Sequence, residues 1–592
     1  MVVGVDLRGI QAYVYSGRRI LDAVGRAALV AELTDTSDPR HGIADLVPED
    51  CVVLRDAGGA LTVVLPDSSA ARAFTARYTR LLRDRAGDLT PVVAHVPYGP
   101  DASAGSAAGE TPRGVDEALE RLPVRLRTAR RRMSALHTPA RGYGITAVCS
   151  VGGGPAESVD SSRAQDERAG VPERVAADVA RARGIGRRWH RAHSAAWLAG
   201  AATATGRPRL ELPMEIDRLG RDHGDLSRIA VVHIDVNGLG VILGEYRDRA
   251  GDPGVPGSGA AAQRRLSTRI AGLTEGLARA LVRAVAATVR ADPGQGATVP
   301  GSGAAAPLTL DRSPTGTVRL PVRPIVVAGD DLTVLCDARL ALSLTRYALD
   351  WLDADPERIG AAGDPRVALH RALARAHGGA DARAVTGADG THTTFVPTVG
   401  VGIAVQPVGA PLSLGYDLCE AMCRRAKDHR VERVEGGAPD DHAVAWTTRF
   451  DGVDRVLRRL DRARSSAPPR TALPLTGAAF ADFLDRYLSP CAPGSLLADG
   501  DTRHRSWLVS SLVPLLEAGG DPSAELHRRA RASGVRTALP RDWTPGALLD
   551  AVEVMDLHLD PGLAAALEPH RPQDRGRTGA GGPPSGPTGA PL

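Results

Sequence analysis

Val231-Val232-His233-Ile234-Asp235-Val236-Asn237-Gly238-Leu239-Gly240 and, further along, Ile325-Val326-Val327-Ala328-Gly329-Asp330-Asp331-Leu332-Thr333-Val334-Leu335 share one design. In each, acidic residues follow a run of β-branched and aliphatic side chains, so each carboxylate sits at the end of a buried strand. A Gly-Asp-Asp triplet standing alone is more often a hairpin turn, because Gly supplies positive φ and Asp tolerates turn geometry. Two such strand ends together read differently. Asp235, Asp330 and Asp331 form a candidate set of rigid oxygen donors, which hard cations such as Mg²⁺ prefer together with substrate phosphates. Two ions about 3.5–4 Å apart would serve in-line displacement at phosphorus, as in nucleotidyl transfer.

Around these stretches, residues 226–450 read as strand Ile229–Asp235, helix Gln263–Arg290, a strand pair about Gly329-Asp330-Asp331, a helix from Ala338, strand Val396–Val405, helix Leu412–Arg430 and strand His442–Thr447. That βαββαβ order with one extra element predicts an antiparallel sheet covered by helices on one face, a ferredoxin-like arrangement. In the first helix Leu266, Ile270, Leu273, Leu277 and Leu281 recur at spacings of three and four and form one apolar stripe. Two copies of Val-Pro-Gly-Ser-Gly-Ala-Ala-Ala, at 255–262 and 299–306, flank it and are expected to be flexible linkers.

The N-terminal segment repeats the plan: a strand ending at Asp6, helix Ile20–Leu33, a hairpin over Val52–Leu65, helix Ala70–Arg83 and strand Pro91–His95. Its turn carries Gly58-Gly59-Ala60 where the other carries Gly329-Asp330-Asp331, so it lacks the carboxylate set. Residues 453–565 show helical spacing in Val456, Leu457 and Leu460 and again in Trp507, Leu508, Leu512 and Leu515-Leu516. The end, Arg571–Leu592, is nearly without aliphatic side chains and is expected to be disordered.

A chain of 592 residues exceeds one core and implies several domains. Its 73 basic and 69 acidic residues leave a formal charge of +4, which excludes a polycation built for non-specific nucleic-acid binding. The six cysteines show no disulfide or zinc-ribbon spacing, and Cys419 and Cys423, four apart on a predicted helix, read as core. Met1–Asp6 has no basic signal region, and no segment approaches about 18 uninterrupted apolar residues. A cytoplasmic protein with no membrane partner is expected.

With these residues in view, the sequence resembles the large palm-containing subunit of type III CRISPR effector complexes, and the related stand-alone CRISPR polymerases. Asp6-Leu7-Arg8-Gly9-Ile10-Gln11-Ala12-Tyr13-Val14-Tyr15-Ser16 with Gly25-Arg26-Ala27 is similar to the first-palm signature. Ile229–Gly240 and Ala328–Asp331 are similar to the second-palm strand and its Gly-Gly-Asp-Asp turn, and Pro397–Val405, Pro411 and Ala426-Lys427 to the closing strand and helix.

The resemblance implies an α+β chain with two ferredoxin-like palms: residues 1–110 a first palm without metal, 111–225 a helical linker with a degenerate zinc-binding segment, 226–450 the catalytic palm of GGDEF-like type, 451–565 a helical C-terminal domain and 566–592 a tail. It implies a cyclase converting ATP into cyclic oligoadenylates in antiviral defence, with guide RNA and effector subunits as partners. By that analogy Asp235, Asp330 and Asp331 hold two Mg²⁺ or Mn²⁺ ions. Val236, Asn237, Gly238, Gly240 and Gly329 border the nucleotide, backbone amides of Asn237–Gly240 cradle phosphate, and Lys427 stands near the triphosphate as a point charge. His233 shares the strand face of Asp235 and reads as a packing or base-contact residue.

The sequence departs from the family at three points. Ala328 replaces the first glycine of the turn, one cysteine (Cys149) remains where the family carries two Cys-x-x-Cys pairs, so zinc is not expected, and no His-Asp dipeptide of the family's nuclease occurs among the 16 histidines. DNA cleavage is therefore not expected. Two other readings remain open: a non-catalytic scaffold subunit of an RNA-guided complex, and a different cyclic dinucleotide synthase, such as a diguanylate-type cyclase that shares the palm and the acidic turn.

Overall fold

The computed structural model describes residues 1–17, 19–87, 89–98, 114–133, 144–152, 154–162, 171–199, 208–219, 228–252, 254–292, 296–301, 306–354, 359, 361, 363–376, 385–386, 392–393, 397–497, 507–533 and 539–563. The tail expected to be disordered lies outside them. The chain is a mixed α+β protein with several sheets.

The first sheet is built from β1 (Val2–Arg8), β2 (Val52–Ala57), β3 (Ala60–Val64) and β4 (Thr90–Val96), in the order β2-β3-β1-β4. Both neighbours of β1 run antiparallel to it. Alternation along β1 sends Val3, Val5 and Leu7 into a core shared with α2 (Ile20–Glu32) and α3 (Ser68–Arg85), and sends Val2 toward α4 (Val115–Met133) on the opposite face. The short α1 (Ile10–Tyr15) connects β1 to α2. α3 begins where the Asp67 carboxylate accepts the Ser69 and Ala70 amides, a side-chain N-cap. In the linker, α5 (Ala177–Leu198) is tied to α2 by the fully buried Arg183, which donates to Asp22 at 2.6 Å, Asp160 at 2.8 Å and Glu173 at 2.6 Å. Cys149 packs with Val175 and Val179 in a small satellite core.

The second sheet contains β5 (Arg228–Val236), β6 (Val322–Ala328), β7 (Asp331–Asp337), β8 (Val399–Pro407), β9 (Ala443–Thr447) and β10 (Leu475–Thr476), in the order β6-β7-β5-β8-β9-β10. Its first four strands repeat the order of the first sheet. The expectation of a wholly antiparallel sheet with helices on one face needs correction. β8 and β9 run parallel, and both faces are covered. One face meets α7 (Ser258–Thr288) and α8 (Ala341–Leu352), with Leu266, Ile270, Leu273, Leu277 and Leu281 all buried against Ala230, Val232 and Ile234. The other meets α9 (Leu412–Glu435), whose Leu412, Tyr416, Cys419, Met422 and Ala426 share a core with Val231 and with α2 of the first sheet. A strand whose two faces are both buried reads as a continuous apolar run, as β5 does.

The repeats also need correction. The first copy is not a linker: Gly257 caps α7, the helix starts at Ser258, and Ala260 and Ala262 are buried. Alanines have high helix propensity, and the stripe that follows recruits them as its first turn. In the second copy Val299 ends a short strand, Gly296–Val299, and is buried; residues 302–305 lie outside the described set. Between 453 and 563 the segment begins with α10 (Val453–Ser465), and its Phe480, Trp507, Leu512 and Leu516 join the α7 face of the second sheet rather than forming a separate core.

Candidate active site

β7 lies beside β5 with Asp331 directly opposite Asp235. Ala328 pairs with Asp331 across the β6–β7 hairpin, so the connection is only Gly329 and Asp330, and Gly329 has φ +62°. That left-handed value at the first central position suits glycine. The turn is also held from behind, where Thr274 Oγ1 of α7 donates to the Gly329 carbonyl at 2.8 Å. Three carboxylates, two at strand ends and one at a turn tip, thus converge on one spot.

Lys427 of α9 supplies the nearest positive charge. Its Nζ lies 2.5 Å from Asp235 Oδ2 and 3.0 Å from the Val236 carbonyl. Two glycines on β8 let α9 come this close. A Cβ on Gly402 would fall 2.0 Å from the Cys419 carbonyl oxygen, and one on Gly400 would fall 2.6 Å from Lys427 Cγ. Asp330 feels the opposite influence: burial, then the neighbouring Asp235 and Asp331 charges, push its carboxyl up to about 6.

His233 is buried on the same face as Asp235, as alternation requires. Its Nδ1 lies 3.2 Å from Thr333 Oγ1 and 3.2 Å from Asp331 Oδ1, the latter too poorly aligned for a hydrogen bond. Burial is the largest single influence and lowers its pKa, but the Asp331 contact and the Asp235 and Glu420 charges together outweigh it and the net shift is upward. The ring meets Tyr416 edge-on, with centroids 5.6 Å apart, and Tyr416 stacks on Tyr15 of α1 at 4.0 Å. Packing therefore describes His233 well.

The donor set suits a hard divalent cation. It consists of carboxylate oxygens, and Asp331 Oδ1 is buried without a hydrogen-bond partner among the described residues. His233, Asp235 and Cys423 also bring ligand atoms within 4.8 Å of one another. Cys423 is a poor candidate, since Sγ donates to the Gly400 carbonyl at 3.3 Å and burial followed by the Asp235 charge pushes its thiol up to about 12.

A cavity of about 640 Å³ opens before the carboxylates, lined by both the Gly58–Gly59 turn and the Gly329–Asp330 turn. Asp235, Gly329, Asp330, Asp331 and Lys427 all line it. Val236, Asn237, Gly238 and Gly240 do not. The Asn237 amide donates to the Thr398 carbonyl at 2.8 Å and its Nδ2 to Thr398 Oγ1 at 3.1 Å, so Asn237 leaves the expected amide cradle. Gly238, with φ +62°, turns the chain into α6 (Leu239–Ala250), and Gly238 and Gly240 are exposed there. Sequence reasoning passed over Glu420 and Arg424, which line the cavity from α9 and pair with each other at 2.8 Å. The spacing of four from Glu420 to Arg424 and of three from Arg424 to Lys427, which puts all three on one helix face, was the available signal. Gly400-Val401-Gly402 inside a strand was another, since strand glycines mark close backbone approach.

In the first sheet, Asp6 pairs in register with Ala60 and forms a salt bridge with Arg130 of α4. That turn offers no second carboxylate. Asp56 is held by Arg264 Nε at 3.0 Å and by Thr36 Oγ1 at 2.6 Å.

No protein-family model matches the sequence, and no curated protein matches it. Solved structures do. A chain of a Csm1–Csm4 cassette in complex with AMPPNP is similar at 13% identity and TM-score 0.43, over 94% of this chain and 69% of that one. A chain of the apo cassette gives 14%, 0.43, 94% and 70% for the same quantities. A chain of the Csm1–Csm4 subcomplex of the type III-A CRISPR-Csm interference complex gives 14%, 0.39, 94% and 70%. Among the described residues no helix is long and apolar enough to cross a membrane.

Proposed function

We propose that this chain is a nucleotidyltransferase that converts ATP into cyclic oligoadenylate second messengers in CRISPR-type antiviral defence. The observation that carries the reading is the register match of Asp331 with Asp235, with Asp330 at the tip of the connecting turn, all facing a cavity of nucleotide size. Two Mg²⁺ or Mn²⁺ ions held by Asp235, Asp330 and Asp331 would supply Lewis-acid stabilisation of the attacking and leaving oxygens. The chain itself positions the reactants. Lys427 places a positive charge beside the carboxylates, and Arg424, 70% exposed and paired among the described residues with Glu420, can reach phosphate oxygens. The 3′-oxygen of one nucleotide attacks the α-phosphorus of another; the new P–O bond replaces the bond to pyrophosphate, and the hydroxyl proton leaves to solvent.

The matching strand order of the two sheets supports a pair of ferredoxin-like palms, the first of which closes the cavity without holding metal. Effector subunits and guide RNA are the partners this reading implies, and the cytoplasm is its setting. The test is incubation of the purified chain, and of the complex isolated with it, with labelled ATP and Mg²⁺ or Mn²⁺. Cyclic products and pyrophosphate should appear and should vanish in Asp330→Ala/Asp331→Ala. Absence of product from both preparations rejects the reading.

A further inference from the structure

We propose that Asp35, just beyond the end of α2, reads the exocyclic amino group of the nucleotide base; the inference rests on the nucleotidyl-transfer reading of the cavity. The cavity is bipolar. Its acidic turn and cations lie on the second sheet and α9, whereas α2 contributes an apolar wall of Ala27, Val30 and Ala31, continued on α1 by Ile10 and Val14 with Gln11 and Tyr15 beside them. A nucleoside triphosphate has the same polarity, with phosphates at one end and a flat base at the other. The apolar wall ends in Thr34 and Asp35, so a base lying against it presents its edge to those two residues.

Both offer acceptors. Thr34 is 2% exposed, and its hydroxyl donates backward to the Val30 and Ala31 carbonyls, each at 3.3 Å, which leaves oxygen lone pairs for the cavity that it lines. Asp35 is held rigidly: Oδ1 accepts from Ser37 N at 2.7 Å, Ser37 Oγ at 2.6 Å and Asp38 N at 3.2 Å, and its own carbonyl accepts the Ile43 amide at 2.8 Å. Among the described residues the second carboxylate oxygen has no partner. Asp56, the other acid at this end, is already engaged by Thr36 and Arg264. A preorganised oxygen that can only accept selects a donor, and the amino group of adenine is one. An oxo group at the same position would face it acceptor to acceptor. A hydrogen bond to a charged group at this half-buried site corresponds to roughly a tenfold to hundredfold preference.

The test measures equilibrium binding by calorimetry and turnover in parallel, for ATP, purine riboside triphosphate, which lacks the amino group, and inosine triphosphate, which carries oxygen there. The wild type needs no mutation for the first comparison, and ATP should bind at least tenfold tighter than either analogue. Asp35→Asn keeps Oδ1 for the turn but replaces the free oxygen with a donor, so its preference should move from ATP to inosine triphosphate. Equal affinity of the wild type for ATP and purine riboside triphosphate, or an unchanged order in Asp35→Asn, overturns the inference even if ATP is turned over. Selective ATP binding without turnover upholds the assignment of Asp35 and rejects only the catalytic reading.

Discussion

Gly400 lies opposite Asp235 in the β5–β8 ladder, and the space where its side chain would stand is filled by the stem of Lys427, whose Cγ would be 2.6 Å from an added Cβ. The missing side chain is therefore what lets the Lys427 ammonium reach Asp235. Gly400→Ala should displace Lys427 at a packing cost of about 1–3 kcal/mol and lower product formation roughly tenfold. Lys427→Ala should lose activity without the packing cost. Thermal unfolding and product assays on both variants separate the two effects, and full activity in Gly400→Ala would show that Lys427 has no need of this path.

The crowding of Asp235, Asp330 and Asp331 predicts a trade between stability and function. Asp330→Asn removes one of three like charges, so the metal-free variant should melt higher than the wild type while forming no product. Mg²⁺ should raise the wild-type midpoint, by the equivalent of about 2.7 kcal/mol at a hundredfold excess over its dissociation constant, and should barely move that of Asp330→Asn. A melting scan with and without Mg²⁺ checks both statements.

Among the described residues, Thr274 supplies the side-chain hydrogen bond to the Gly329 carbonyl behind the acidic turn. Thr274→Val keeps the shape and removes the donor, and should lower kcat several-fold at a stability cost of about 1 kcal/mol. Thr274→Ser should restore kcat. An unchanged kcat in Thr274→Val, measured beside KM, would show that the turn holds itself.

Away from the site, Asp550 gives a pH prediction. It is buried, accepts from Thr471 Oγ1 at 2.9 Å and the Ala472 amide at 2.7 Å, and burial pushes its carboxyl from 3.8 up to about 7. Because the folded value is raised, the folded state binds the extra proton between the two values. Its contribution to stability is complete below about pH 4 and is lost as pH rises to about 7. Urea midpoints should show the wild type losing up to about 4 kcal/mol more than Asp550→Asn across that window, and equal slopes for the two proteins would refute the shift.

Periodicity and strand-end chemistry were legible in the sequence because they are local. The α7 stripe from Leu266 to Leu281 is buried as its spacing predicts, and Asp235, Asp330 and Asp331 stand where runs of β-branched residues end. Helix limits moved by a few residues, and the first Val-Pro-Gly-Ser-Gly-Ala-Ala-Ala copy turned from linker to helix because the apolar stripe downstream recruits its alanines. The amide expected from Asn237 went to the Thr398 carbonyl, a partner 161 residues away in sequence.

The sequence by itself determined the two sheet-forming units, the acidic strand ends and the face shared by His233 and Asp235, since these follow from backbone alternation and side-chain shape. Only the tertiary structure decided that Asp331 stands opposite Asp235, that Lys427 passes Gly400 of β8 to reach Asp235, and that Asp35 lines the same cavity. Those relations join residues tens to hundreds of positions apart. They depend on which strand pairs with which and how closely one helix can approach, and the free energy of that packing belongs to the assembled core rather than to any segment of the chain.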